Sequence, residues 1–202
     1  MSRNTYCKSF LVKLSLSIMC LIPLLSIGAY LLGSIPWGSI ISKRKGVDIR
    51  GIGSGNIGAT NVARALGFKW AALTFCLDTL KGFLAPLLTY LILKEYGYLI
   101  YLNSLLCILG HQFSIFERFK GGKGVATSFG VFLLIDPVSA SLSLVVFIIT
   151  FLMVKIVSLG SILASLSLPL WVLFLNRDRD EFLFAVLTAI LIIISHLSLI
   201  HI

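Results

Sequence analysis

Polar positions are so sparse along this chain that the breaks between apolar runs outline the whole molecule. The runs cover residues 20–41, 70–93, 98–116, 125–135, 138–154, 157–175 and 182–199. Most are long enough to cross a hydrocarbon core as a helix, which takes roughly 17–25 residues. The fourth is short, and Asp136-Pro137 breaks it. It reads as a half-helix or a re-entrant piece, because backbone can end at membrane depth only where protein or a watery cavity satisfies its polar groups. The pattern predicts an all-α, polytopic membrane bundle of about seven transmembrane helices, one or more of them short. Ahead of it, Arg3, Lys8 and Lys13 precede the first run in the manner of a signal peptide. No small-residue cleavage site follows, so the first helix is read as retained. The expected organisation is a variable leader over 1–19 and a single membrane-embedded domain over 20–202, with no internal repeat.

Composition agrees with the pattern. The 202 residues are 58% hydrophobic and only 12% charged, where a soluble domain carries about 25% charged residues. The formal net charge is +9, and it is clustered. Residues 42–69 carry Lys43, Arg44, Lys45, Arg50, Arg64 and Lys69 against Asp48, and residues 117–124 are again basic. The turns at Lys94-Glu95, at Asp136 and over 176–181 are balanced or acidic. The positive-inside tendency therefore puts both basic loops in the cytoplasm, with the N-terminus outside and the C-terminus inside. The basic leader opposes this order, and the two large loops are given the greater weight. Nothing interleaves aromatic and basic residues on a soluble surface, so nucleic acid is not an expected partner. Membrane lipid is. Cys7, Cys20, Cys76 and Cys107 form no CxxC, and His111, His196 and His201 no HExxH. No metal and no cofactor is expected.

The chemistry lies in the two basic loops, both rich in glycine. The first runs from Gly51 to Arg64, with glycines at 51, 53, 55 and 58. Glycines allow tight or left-handed backbone, so amide N–H groups can converge on one anion. Ser54 and Asn56 add side-chain donors. A helix opening near Ala59 would aim its N-terminus at the same point and put Thr60, Asn61 and Arg64 three or four apart. Gly53 to Gly58 also fits GxGxxG, but no strand precedes it, so a dinucleotide site is rejected. A flexible connector is the plainer reading of this loop.

The second loop holds Gly121, Gly122, Lys123 and Gly124, with Thr127 one turn further on. It is not a Walker motif: Glu117 and Gly124 stand where Gly and Ser or Thr belong. Three glycines around a lysine still make a phosphate cradle with a point charge. A topological stop signal is the plainer reading here.

Outside the loops, Asp78 and Lys81 lie three apart in an apolar run. They form either a structural ion pair or, with Lys81 extended, a phosphate contact. His111 and His196 sit at span ends on the same side. Each is either an interfacial residue or a donor or proton acceptor for a substrate.

Leu32-Gly33-Ser34-Ile35-Pro36, Gly51 to Arg64, Asp78-Thr79-Leu80-Lys81-Gly82, Gly110-His111 and Phe119 to Thr127 occur in an order and spacing that resembles the bacterial acyl-phosphate:glycerol-3-phosphate acyltransferase family. The resemblance covers about residues 28 to 196. It implies a seven-helix protein of the bacterial inner membrane with its site toward the cytoplasm. The implied reaction passes the acyl group of a fatty acyl phosphate to the 1-hydroxyl of sn-glycerol 3-phosphate, giving lysophosphatidic acid and phosphate in phospholipid biosynthesis.

The resemblance implies catalytic roles for Ser54, Arg64, Lys123 and His196. It implies substrate contacts at Gly53, Gly55, Asn56, Thr60, Asn61, Lys81, His111, Gly121, Gly122, Gly124 and Thr127. Ser54 is read as a phosphate donor rather than a nucleophile, and a substrate phosphate oxygen as the base. A soluble or peripheral enzyme is expected to supply the acyl phosphate. One departure stands out. The family's third motif places Asn three residues after a His, followed by basic residues and a Glu, whereas here His196 is followed by Leu199 and the sequence runs to Ile202. Two other readings compete: a small-anion transporter gated by the Gly loops, and a member of this fold that has lost activity with its altered end.

Overall fold

The computed structural model describes residues 20–93 and 97–197. The leader at 1–19, Leu199 and His201 lie outside the described residues. The described chain is helical: α1 Cys20–Ser34, α2 Trp37–Arg44, α3 Ala59–Leu66, α4 Phe68–Ile92, α5 Gly97–Gln112, α6 Val125–Ile135, α7 Pro137–Val154, α8 Val157–Phe174 and α9 Arg179–Leu197. Every apolar run of the sequence becomes a helix. By length and composition five of them can cross a membrane, and six if α1 and α2 count as one bent span. The 11-residue α6 is too short.

The first run departs from the continuous helix expected over 20–41. It breaks at Ile35-Pro36 and turns through 42°. Pro36 has no N–H and forces Ile35 out of helical backbone. The break leaves the carbonyl of Ile35 in the bundle interior, and Lys81 Nζ donates to it at 2.7 Å. The same ammonium lies 2.9 Å from Asp78 Oδ1, with both side chains under 5% exposed. A buried charge needs a partner and full hydrogen bonding, and here it also satisfies a broken helix.

The helices pack through small residues, as association within a membrane favours. A Cβ at Gly82 would overlap the Thr127 carbonyl, and one at Gly130 the Thr79 carbonyl. These two glycines bring α4 and α6 into backbone contact. The main apolar core joins Ile108, Val131, Phe132, Ala140, Leu168, Val172, Phe184 and Ala185 from α5 to α9. Phe132 stacks on Phe184 with ring centroids 5.3 Å apart.

At one end of the bundle, Asp136 caps α7 by accepting from Val138 N and Ser139 N at 3.2 Å each. Arg177 grips its two oxygens at 3.0 and 2.9 Å. Burial works against the charged carboxylate, but the bonds from Arg177 and Ser139 outweigh it and bring its pKa from 3.8 down to about 2. A depressed carboxyl pKa gives stability that is full above the unfolded value and is lost as pH falls through the folded one. Asp136→Ala removes cap and pair together, the cap alone being worth about 1 kcal/mol. It is expected to lower the unfolding temperature in detergent at pH 7. The gap from the parent protein should narrow as pH falls from about 4 toward 2.

Candidate functional site

Four helices run between two ends of contrasting charge. α6 begins at the Lys123 loop and ends at Asp136, α7 returns to Lys155, α8 leads back to Arg177, and α9 comes down to His196. At the end where Lys123, Lys155 and His196 meet, a cavity of about 400 Å³ opens. Its walls come from loop one and α3 (Ser54, Asn56, Gly58, Ala59, Thr60, Asn61, Arg64), from loop two and α6 (Lys123, Gly124, Val125, Ala126), from the α7–α8 turn (Lys155 to Ser158) and from Asp78, His111 and His196. Ser54, Asn56, Thr60, Asn61 and Arg64 from the first glycine loop and Lys123 from the second therefore share one chamber.

Loop one is shaped from within. Asp48 Oδ1 accepts from Arg50 N and starts a tight turn over Ile49–Gly51. Gly53 and Gly55 follow in left-handed backbone, φ 55° and 65°. A Cβ at Gly53 would collide with Asn61 Oδ1. Asn61 is almost fully buried and holds the turn together. Its Nδ2 donates to the carbonyls of Ile49 (3.1 Å) and Ile52 (2.9 Å), and its Oδ1 accepts from Ser54 N (3.2 Å). Asn56 Oδ1 accepts from Gly58 N at 2.9 Å. Ile49, Ile57 and Val62 bury the underside. The Ser54 side chain is left exposed at the chamber.

Loop two is pinned to the end of α5. Gly121 N and Gly122 N donate at 2.9 Å to the carbonyls of Gln112 and His111. A Cβ at Gly122 would overlap the His111 ring, which faces Asp78 Oδ1 across 3.6 Å on its other side. Gln112 Nε2 donates to Lys123 O at 3.2 Å and Leu191 O at 3.3 Å, tying the loop to α9. Gly124, at φ 84°, turns the chain into α6. Arg50 then clasps the loops together, donating to Gly55 O (3.2 Å), Glu117 Oε2 (2.9 Å) and Lys120 O.

Three helix N-termini meet at this chamber: α3 at Ala59, α6 at Val125 and α8 at Val157. Each lacks a side-chain cap. Uncapped amides and the positive ends of helix dipoles attract anions. Arg64, Lys123 and Lys155 add full charges. Lys123 is half-buried, and burial, with Arg64 nearby, pushes its pKa below the usual lysine value. Two cations held close together gain by admitting an anion.

Other expected contacts fall elsewhere. Lys81 is engaged by Asp78 and Ile35 and is not among the residues lining the chamber, the arrangement of the ion-pair reading. Thr127 is fully buried at the α4 contact and does not line the chamber. Gly53, Gly55, Gly121 and Gly122 shape the loops without lining the chamber. His196 lines it, with Nδ1 2.8 Å from Ile192 O. A hydrogen bond to that carbonyl puts the proton on Nδ1 and leaves Nε2 for the chamber.

Lys155 and Gln112 have no role in the sequence reading, and Arg50 enters it only as one of the charges of the first loop. Lys155 did leave a trace, as the only charged residue between Asp136 and Arg177. The polar chamber also meets a second, apolar cavity of about 130 Å³. The two share Phe75, Val125, Phe147 and Ser161, and Phe129, Phe132, Leu144 and Leu168 lie deeper.

These features define a polytopic helical membrane protein with a cation-lined chamber at one end and an apolar cavity beside it. The family model for glycerol-3-phosphate acyltransferase matches residues 23–201, and the chain belongs to that family. It is 44% identical to the glycerol-3-phosphate acyltransferase of Aquifex aeolicus (strain VF5) over 175 residues, covering 85% of this chain and 90% of that protein. The enzyme of the same name from Geotalea daltonii is 44% identical over 173 residues, covering 85% and 88%. The fold is similar to crystal structures of PlsY (YgiH), an integral membrane glycerol 3-phosphate acyltransferase. The glycerol 3-phosphate form has a TM-score of 0.84 at 42% identity, covering 89% of this chain and 90% of that one. The lysophosphatidic acid form has a TM-score of 0.83 at the same identity and coverage.

Proposed function

We propose that the chain transfers the acyl group of a fatty acyl phosphate to the 1-hydroxyl of glycerol 3-phosphate, at a bacterial inner membrane with its chamber open to the cytoplasm. The observation that carries this reading is the meeting of three cationic side chains and three uncapped helix N-termini in one chamber that shares four wall residues with an apolar cavity. Two phosphates repel each other, and such a chamber offsets that repulsion while the apolar cavity takes the chain. Basic residues crowd the chamber end, whereas Asp136 and the turn over 176–181 at the other end are acidic or balanced, so the positive-inside tendency turns the chamber toward the cytoplasm.

The donor is already activated. The hydroxyl oxygen attacks the acyl carbon, the bond from that carbon to the phosphate oxygen breaks, and the hydroxyl proton leaves with the phosphate. No cofactor enters this scheme. Loop two and Arg64 hold glycerol 3-phosphate, and Ser54 donates to phosphate and aligns the reactants. Acyl phosphate comes from a soluble or peripheral enzyme on the cytoplasmic side.

Purified protein with palmitoyl phosphate and labelled glycerol 3-phosphate should release labelled lysophosphatidic acid. Anion flux in proteoliposomes without acyl transfer would instead identify a transporter. Ser54→Ala should lower kcat by about 100-fold, the scale for losing one donor aimed at developing charge. Its glycerol 3-phosphate KM should change far less, and an unchanged kcat would remove Ser54 from the site.

A further inference from the structure

We propose that Lys155, together with Ser158 at the start of α8, is the binding element for the phosphate of the acyl donor, separate from the glycine-loop cations that take glycerol 3-phosphate. The proposal rests on the function proposed above and divides its two anions between two walls of the chamber.

Lys155 is an unusual residue for its place. It is the only charge in the stretch between Asp136 and Arg177. It occupies the two-residue turn from α7 to α8 in left-handed backbone, φ 61°. The residue borders the polar chamber, with Ile156, Val157 and Ser158 beside it, and its exposed ammonium lies 5.7 Å from the centre of the Phe151 ring with no ion pair to hold it among the described residues. Those residues open an 18-residue helix whose N-cap, Ile156, supplies no capping side chain. His196 lines the same chamber, is 5% exposed, and has Nδ1 engaged by its own helix.

The junction with the apolar cavity decides which anion this wall takes. The two cavities share Phe147 on α7 and Ser161 on α8. Ser161 follows Ser158 by one helical turn, a rise of about 4.5 Å. An acyl chain running between α6, α7 and α8 brings its carbonyl to this junction. Its phosphate then falls one turn further out, level with Ser158 and Lys155. Glycerol 3-phosphate has no chain to anchor it there and takes the wall where Lys123 and Arg64 lie near each other.

The test compares Lys155→Asn, Lys155→Arg and Lys69→Ala with the parent protein in initial-rate kinetics. Asparagine is chosen because it tolerates left-handed backbone, and Lys69 because it is an exposed base outside the chamber. Lys155→Asn should raise the acyl phosphate KM about tenfold, the lower end for a lost charge-assisted hydrogen bond at a partly exposed site. Its glycerol 3-phosphate KM should stay within about twofold, a span too small for the loss of such a bond. Inhibition by orthophosphate competing with acyl phosphate should weaken in parallel. Lys155→Arg should restore most of the affinity, and Lys69→Ala should match the parent. Unchanged acyl phosphate KM in Lys155→Asn, or a rise confined to glycerol 3-phosphate, would overturn the assignment. A parent protein that transfers no acyl group would instead overturn the proposed function itself.

Discussion

Lys123→Ala is expected to raise the KM for glycerol 3-phosphate by about 10- to 100-fold, the range for a charge-assisted hydrogen bond lost from a half-buried site. The loop should survive the change. Its shape comes from Gly121 N and Gly122 N bonding to α5 and from Gln112 holding the Lys123 carbonyl, and none of these uses the lysine side chain. The expected loss is therefore one of binding, with kcat changed less than KM. The lysine also sets a pH dependence. Burial and Arg64 hold its pKa below 10.5, so raising the pH removes its charge earlier than for an ordinary lysine. Glycerol 3-phosphate affinity should fall on the alkaline side before that value. Lys123→Arg should carry the affinity to higher pH, because a guanidinium stays charged. An identical alkaline limb in the parent and Lys123→Ala would show that another group titrates there.

Asn61→Leu is expected to reduce turnover more than any single substrate contact does. The side chain makes three hydrogen bonds that close loop one upon itself. Leucine has similar bulk but leaves the Ile49 and Ile52 carbonyls and the Ser54 amide without that partner, at about 1–3 kcal/mol for each group that stays buried and unpaired. The turn that presents Ser54 and Asn56 would open, and the Arg50 clasp at Gly55 would lose its target. We expect kcat to fall at least about 100-fold, as removal of an oriented donor does, with a smaller drop in unfolding temperature. The main core, built on α5 to α9, does not include this loop. Asn61→Asp separates the contributions. It keeps an acceptor for Ser54 N, loses both donations to the carbonyls, and adds a negative charge to an anion chamber.

The apolar runs located the membrane helices because in a membrane the solvent itself selects them; the short α3 lies in the first basic loop, outside every run, and the first run divides at Pro36. The chamber was legible as well, through Ser54, Arg64, Lys123 and His196, because glycine and basic residues crowded beside hydrocarbon have few other uses. Three-dimensional details were not. Ile35-Pro36 is a plain break signal, yet only the fold reveals that Lys81 answers the carbonyl it frees. The buried state of Thr127 follows from the backbone contact at Gly82, and neither residue marks that contact in sequence. Gly53 lets Asn61 approach and Gly121 and Gly122 let His111 approach, a role the sequence does not mark, whereas Gly58 and Gly124 do line the chamber. Lys155 was passed over because a lone lysine at a span end is ordinary until its neighbours in space are known.

In the proposed reaction one chamber holds both phosphates at once, so that acyl transfer passes directly from donor to acceptor. Initial rates measured over a grid of palmitoyl phosphate and glycerol 3-phosphate concentrations test it most directly, alongside phosphate release with the acceptor left out. Intersecting double-reciprocal lines and no stoichiometric burst of phosphate are the predicted result. Parallel lines, with one equivalent of phosphate released and acyl label retained on the protein, would contradict it.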